Sequence, residues 1–294
     1  MKPAPFAYAA PVERGQVLSL LGEHAGEARL LAGGQSLLPL MNLRLARPGL
    51  VIDLGRVGGL DQIRTDDGWL VLGAMTRQLA LERSGLVARG APLLAAALPL
   101  IGHVATRSRG TLGGSIAHAD PAAELPAVLL ALDGEVVAES VRGERVVPAR
   151  SLFLSALTTS LAEDELVASI RVPLAPTRAS AFVEVSRRHG DFALIGAAVS
   201  VQLSDAQLCE DAAIALCGVA EAPVRLEELE RVLLGRRLTD DDVLAEASHL
   251  ATTALDSAGV VDASAQYRRR VAGPIVVRAL KQAASQSTSV ERAE

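Results

Sequence analysis

Residues 28–54 read ARLLAGGQSLLPLMNLRLARPGLVIDL, and the periodicities inside this stretch decide the fold. Ala28–Ala32 is a short apolar run that predicts a buried strand. Gly33-Gly34-Gln35-Ser36 breaks it. Leu37, Leu40, Met41 and Leu45 then recur at helical spacing, which predicts a helix over Leu37–Leu45. Pro39 is compatible with that helix because it falls in the first turn, where a missing N–H costs nothing. Leu50–Leu54 predicts a second buried strand. Strand, glycine turn, helix and strand make a first α/β unit over about residues 1–55.

Working outward, residues about 56–176 form a second unit. Trp69–Gly73 predicts a strand, and Thr76 is placed to cap a helix starting at Arg77. Ala91–Ile101, rich in Ala and Leu, predicts a helix. The glycine-rich segment RSRGTLGGS follows at Arg107–Ser115. Asp120-Pro121 predicts a helix start, with Asp as cap and Pro as first helical residue. That helix should run to about Leu132 and stop at Asp133-Gly134. Glu135–Glu139 and Arg145–Val147 predict a hairpin joined by Arg142-Gly143, and Glu165–Val172 predicts a closing strand. A third unit, residues 177–294, sets strands at Ala181–Ser186, Ala193–Leu203 and Asp211–Val219 before helices at Leu226–Leu233, Asp240–Ala254 and Ala263–Ala284. Strands followed by helices predict an α+β layer with a three-stranded antiparallel sheet. The polar tail SQSTSVERAE, from Ser285, is expected to fray.

Composition bounds the function. Half of the 294 residues are hydrophobic but only 2 % are aromatic, so Ala, Val and Leu must fill the core. This length suggests two or three lobes. A net charge of −5 argues against the basic stripe that a nucleic-acid partner requires. Cys209 and Cys217 fit no Cys-x-x-Cys pattern, and nothing nearby completes a metal site. A reducing, cytoplasmic setting is therefore expected. MKPAPFAYAAPVERG has no signal-peptide architecture, and stretches such as Ala91–Ile101 are too short to span a bilayer.

Two glycine turns carry the chemistry: Ala32-Gly33-Gly34-Gln35-Ser36 and Thr111-Leu112-Gly113-Gly114-Ser115. Paired glycines let backbone N–H groups point into one concavity with no Cβ in the way. A pyrophosphate needs that arrangement, because its oxygens accept several N–H bonds at once. Ser36, Thr111 and Ser115 add hydroxyls, and the first turn opens onto a helix N-terminus, which favours an anion. The alternative for each is a plain tight turn. Neither matches G-x-G-x-x-G, so the dinucleotide fingerprint of a Rossmann fold is not present.

AGGQSLLPLMNLRLARPGLVIDL and RGTLGGSIAHADPAAELPAVLLALDGEV, with SRRHGDFALIGAAV, ALCGVAEAPVR and SAQYRRRVAGPIVVRAL, cover nearly the whole chain in order. Together they resemble the flavoprotein (medium) subunit of the molybdenum hydroxylases, the carbon monoxide dehydrogenase and xanthine dehydrogenase family. The resemblance implies an α+β chain: a two-subdomain FAD-binding domain over residues 1–176, then a C-terminal α+β domain over 177–294. It implies FAD gripped at its pyrophosphate by Leu31, Ala32, Gly33, Gly34, Gln35, Ser36, Leu37 and Leu38 and by Thr111, Leu112, Gly113, Gly114 and Ser115. By the same resemblance Glu124 contacts the adenosine ribose, Ile101 and Val167 line the flavin, and Phe192 lies in a segment approaching its ring. Each has a plain structural alternative: Glu124 as a helix-dipole residue, Ile101 and Val167 as core, Phe192 as a strand residue. Asp120 reads as a cap rather than a ligand, and His118 as structural. Arg107 and Arg109 are candidates to offset phosphate charge.

Two departures stand out. Where the family often has Gln-Ile-Arg-Asn before the second glycine turn, this chain has Ala105-Thr106-Arg107-Ser108, and it has no lysine around Val183–Glu184. Two cysteines cannot ligate an all-cysteine iron–sulfur cluster. The resemblance therefore implies that a molybdopterin-molybdenum cofactor sits on a large partner subunit and two 2Fe-2S clusters on a small one, in a dimer of three-subunit units, a heterohexamer. Two other readings compete: a self-sufficient FAD-dependent oxidoreductase, and a non-enzymatic binding module.

Overall fold

The computed structural model describes residues 2–255 and 263–290. The first unit contains β1 (Ala7–Ala9), α1 (Arg14–Glu23), β2 (Ala28–Leu31), α2 (Leu37–Asn42) and β3 (Leu50–Asp53). Its three strands form a parallel sheet in the order β1-β3-β2. Val17 and Leu21 of α1 cover Leu50 and Ile52 of that sheet. The predicted strand–turn–helix–strand unit is present, but α2 is shorter than its apolar spacing suggests. Arg44 turns to a φ of +60°, and the amides of Leu45 and Ala46 both fold back onto the Leu40 carbonyl.

The second unit comprises β4 (Ile63–Asp66), β5 (Trp69–Gly73), α3 (Gln78–Glu82), α4 (Gly85–Gly90), α5 (Pro92–Ala97), α6 (Val104–Arg109), α7 (Leu112–His118), α8 (Glu124–Ala131), β6 (Glu135–Ser140), β7 (Gly143–Pro148), α9 (Ala149–Leu152), β8 (Phe153–Ser155), β9 (Thr158–Thr159) and β10 (Leu166–Pro173). Its main sheet is antiparallel, in the order β4-β5-β10-β6-β7. Helix starts differ from the sequence reading in two places. Arg77, not Thr76, is the N-cap of α3, and Thr76 Oγ1 is buried without a hydrogen-bond partner. Asp120 does not cap α8: its Oδ1 accepts from the Ala122 amide at 2.9 Å, and the cap is Ala123. An aspartate that satisfies the backbone two residues on makes a local turn, which postpones the helix. Ala119, at a φ of +50°, sets up that turn.

The third unit has β11 (Ala179–Ser186), β12 (Ala193–Leu203), β13 (Cys209–Cys217), β14 (Val224–Arg225), α10 (Glu227–Leu233), α11 (Asp241–Ala254) and α12 (Ala263–Val290). The expected antiparallel sheet is there, extended by the two-residue β14. The tail expected to fray from Ser285 continues α12 to Val290, while residues 291–294 lie outside the described residues. Strand alternation makes the sheet two-faced. Ala181, Val183 and Ile214 pack beneath α11 and α12, whereas Phe182, Ala198 and Ala215 join the core of the second unit. Helix α8 is held between that second face and α5, so every one of its residues is buried. Its sequence ELPAVLLA suits the place, with Glu124 its single charge. The sheet of the third unit thus lies over α5 and α8, and so over Glu124 at the start of α8.

Candidate FAD site

The first glycine turn is open. β2 ends at Leu31, Gly34 takes a φ of +72° that L side chains avoid, and α2 begins at Leu37. The first local bonds behind the turn are Leu38 N–H to the Gly34 carbonyl (3.2 Å) and Leu40 N–H to the Ser36 carbonyl (3.1 Å). Among the described residues, the amides of Gly33, Gly34, Gln35, Ser36 and Leu37 donate to nothing in the chain. Ser36 occupies the N-cap of α2 yet makes no side-chain cap bond. Consecutive unpaired amides at a helix entrance concentrate positive potential and satisfy an anion's oxygens directly.

The second turn is closed. Leu112 N–H goes to Thr76 (3.0 Å), Gly113 N–H to Ala74 (2.8 Å) and Ser115 N–H to Thr111 (3.2 Å), all on carbonyls, while Gly114 N–H is held by Thr111 Oγ1 at 3.1 Å. Thr111 is therefore the N-cap of α7, and Gly113-Gly114 lie inside that helix rather than in a loop. A Cβ on Gly113 would fall 2.5 Å from the Ala74 Cβ and 2.9 Å from its Cα. This glycine brings α7 against the end of β5. Only the Thr111 amide and the Ser115 hydroxyl are left over from the turn among the described residues.

The two turns touch. A Cβ on Gly33 would lie 2.4 Å from the Arg109 carbonyl oxygen and 2.9 Å from the Gly110 Cα; one on Gly114 would sit 3.6 Å from the Ala32 Cβ. The Arg77 guanidinium donates to the Arg109 carbonyl, and Gln78 N–H to that of Gly110. Gly33 is thus needed to seat the open turn on the end of α6. Arg77 was not among the residues the sequence singled out. Its isolated bridge to Thr111 depends on chain pairing that no local pattern signals.

Glu124 opens α8 and is 4 % exposed. Burial drives its carboxyl up to about 7, with further upward pushes from the charges of Glu184 and Asp120. Glu184, on β11, is likewise raised to about 7 by burial, and its Oε2 is buried without a partner. The sequence reading noted only that no lysine stands there. A carboxylate within the apolar run AFVEVS was the available signal. Ile101 and Val167 are both buried in the second unit's core, and Val167 borders a bulge between β10 and β6. Phe192 is 61 % exposed, in the turn joining β11 to β12. That turn is seated on the second unit through Gly190, where a Cβ would meet the His103 ring at 2.4 Å. His103 also meets the His189 ring edge-on, with centroids 6.0 Å apart. Arg107 does not face the turns as a phosphate counter-charge: it is 5 % exposed and paired with Glu82.

The family model for the FAD binding domain in molybdopterin dehydrogenase matches residues 4–175. The chain belongs to that flavoprotein family. The model for the CO dehydrogenase flavoprotein C-terminal domain matches residues 180–283 of the same flavoprotein. It is 42 % identical over 284 residues to the alpha subunit of the 6-hydroxypseudooxynicotine dehydrogenase complex of Paenarthrobacter nicotinovorans, covering 96 % of each chain. It is 39 % identical over 289 residues to caffeine dehydrogenase subunit beta of Pseudomonas sp. (strain CBB1), covering 97 % of this chain and 96 % of the relative. Among solved structures, a chain of carbon monoxide dehydrogenase from Hydrogenophaga pseudoflava superposes with a TM-score of 0.92 at 38 % identity, over 97 % of this chain and 99 % of that one. Among the described residues, no helix of this flavoprotein is long and apolar enough to cross a membrane.

Proposed function

We propose that this chain is the FAD-binding, electron-transferring subunit of a heteromeric molybdenum-containing dehydrogenase, with FAD seated on the open glycine turn. The observation that carries the reading is the run of unpaired amides from Gly33 to Leu37 at the entrance to α2. That donor set suits a pyrophosphate, and charge-assisted bonds of this kind contribute roughly 1.5–3 kcal/mol each. Bound FAD supplies the ability to collect single electrons and release them in pairs. The chain's own residues supply the seat. The Gly33–Leu37 amides take the phosphates, assisted by the Thr111 amide and the Ser115 hydroxyl. Glu124 accepts from a ribose hydroxyl, which gives its buried carboxyl a donor. Ile101, Val167 and Phe192 exclude water around the ring.

In this reading a small partner subunit with two 2Fe-2S clusters delivers electrons taken from a molybdopterin-molybdenum centre on a large partner subunit. An external acceptor removes them from the flavin. The three kinds of subunit form a heterohexamer that works in the cytoplasm. Both cysteines of this chain are free and buried, which suits a reducing compartment. The residues 1–176 act as the FAD-binding domain and residues 177–294 as its cover. The test is to purify the chain, precipitate it with acid, and identify the released chromophore. Stoichiometric FAD is expected. A colourless chain that also takes up no added FAD overturns the reading. Substrate turnover by the isolated chain would instead favour a self-sufficient oxidoreductase.

A further inference from the structure

Outside the glycine turns, the most heavily bonded polar group near the proposed site is Arg107. Its Nε donates to Glu82 Oε2 at 2.7 Å and its Nη2 to Glu82 Oε1 at 3.3 Å. Its Nη1 donates to the Ile101 carbonyl at 2.9 Å and to the Gly102 carbonyl at 3.2 Å. Its own backbone amide donates to the His103 carbonyl at 3.0 Å. Three consecutive carbonyls, those of Ile101, Gly102 and His103, therefore converge on one residue. Gly102, with a φ of +50°, makes the sharp bend that aims them there. The arginine side chain is 6 % exposed and that of Glu82 24 %, so the pair is well shielded from water.

This bend joins two ends of the proposed FAD site. On one side it carries Ile101, and His103 seats Gly190 of the turn that bears Phe192. On the other side α6 runs directly from the bend to Arg109 and Gly110, the backbone on which Gly33 rests. The helix is a short strut, with the flavin-ring side of the site at its start and the phosphate turn at its end. Arg107 and Glu82 fix the strut to α3.

We propose that Arg107, clamped by Glu82, is a positioning residue for the flavin: it sets the Ile101–His103 bend and the seat of the open glycine turn relative to one another. The inference rests on the reading that FAD occupies the open turn. An arginine is required because its planar fork reaches the carboxylate and two carbonyls together, whereas a lysine has one compact donor head. R107K keeps the charge and one bond to Glu82 but gives up the fork.

The test measures FAD affinity of the deflavinated full chain by fluorescence titration, together with the visible circular dichroism of the bound flavin and the thermal melt. R107K is expected to bind FAD about tenfold to a hundredfold more weakly, the loss that one or two buried bonds to a charged group carry. It should also change the flavin's visible dichroism, a signature of ring placement that a purely structural loss of stability would leave alone. Wild-type affinity and dichroism in a folded R107K overturn the inference. If R107K does not fold, E82Q carries the test, since it keeps Arg107 in place with a neutral partner. A weakened affinity with altered dichroism supports the clamp, and unchanged values overturn it. Wild-type chain that binds no FAD overturns the functional reading instead, so the two failures are distinct.

Discussion

The two glycine turns look alike in sequence, GGQS at Gly33–Ser36 and GGS at Gly113–Ser115, and the fold uses them in opposite ways. The first leaves its amides unpaired and exposes Gln35. The second sends its amides to Thr76, Ala74 and its own cap, and buries Leu112 and Gly113. The difference lies in what surrounds each turn. Gly33-Gly34 follows a strand of a small sheet and faces outward at the strand's carboxyl end. Gly113-Gly114 is pressed against the end of β5, in the second unit's core. A glycine pair thus marks a close approach of backbone, and only the neighbours decide whether the approaching group is a ligand or another strand.

The largest effect that bears on this contrast concerns Gly113. A valine there places Cβ 2.5 Å from the Ala74 Cβ, with backbone directly behind it. G113V is expected to cost more than about 4 kcal/mol, enough to prevent a cooperative melt. Denaturant unfolding of the purified chain measures it. A variant that melts with the wild type, losing only flavin, would make the second turn a ligand cradle like the first. G33V is no clean test of phosphate binding either, because its Cβ would strike the Arg109 carbonyl oxygen at 2.4 Å before meeting any ligand.

The first turn was legible because everything that defines it is local: an apolar run, two glycines, a helical spacing, a second apolar run. The second turn's role was not, because Ala74 and Thr76, which take its amides, sit far back in the sequence in the turn that follows β5. α7 escaped notice for a related reason. Two glycines lower its intrinsic helix propensity, and the Thr111 cap with tertiary packing overrides that. Glu124 could be placed only by family resemblance, while its partner in the field, Glu184, becomes visible only when the third unit's sheet packs on α5 and α8. Arg107 read as a candidate counter-charge to phosphate, but Glu82 on α3 draws it inward.

A mid-sized effect concerns the buried carboxyl that follows the closed turn. Glu124 ordinarily titrates near 4.5 and is raised to about 7 in the fold, by burial first. Between those values the native state holds more protons than the unfolded chain, so stability falls as pH rises through the window and levels off above about 7. The shift corresponds to roughly 3 kcal/mol. E124Q keeps the volume without the charge. Its deflavinated chain should therefore lose about half of the decline, retaining the part that belongs to Glu184, which is raised over the same range. Melting temperature against pH for both chains checks it, and parallel curves would remove the buried charge from the account.

The smallest effect compares the two cap residues directly. Thr111 holds the Gly114 amide, whereas Ser36, at the same position of its helix, holds nothing. Removing a working cap costs typically about 1 kcal/mol, so T111A should lower the stability of the deflavinated chain by that amount. S36A should leave its stability within about 0.5 kcal/mol of wild type, as for a substitution that breaks no contact. With FAD the order reverses: S36A loses a hydroxyl beside the open amides, and its affinity should fall severalfold, about what one hydrogen bond contributes. Paired denaturation and titration of the two variants decides the matter. If S36A destabilises the empty chain as much as T111A does, then Ser36 serves its own helix and the open turn is less open than its unpaired amides imply.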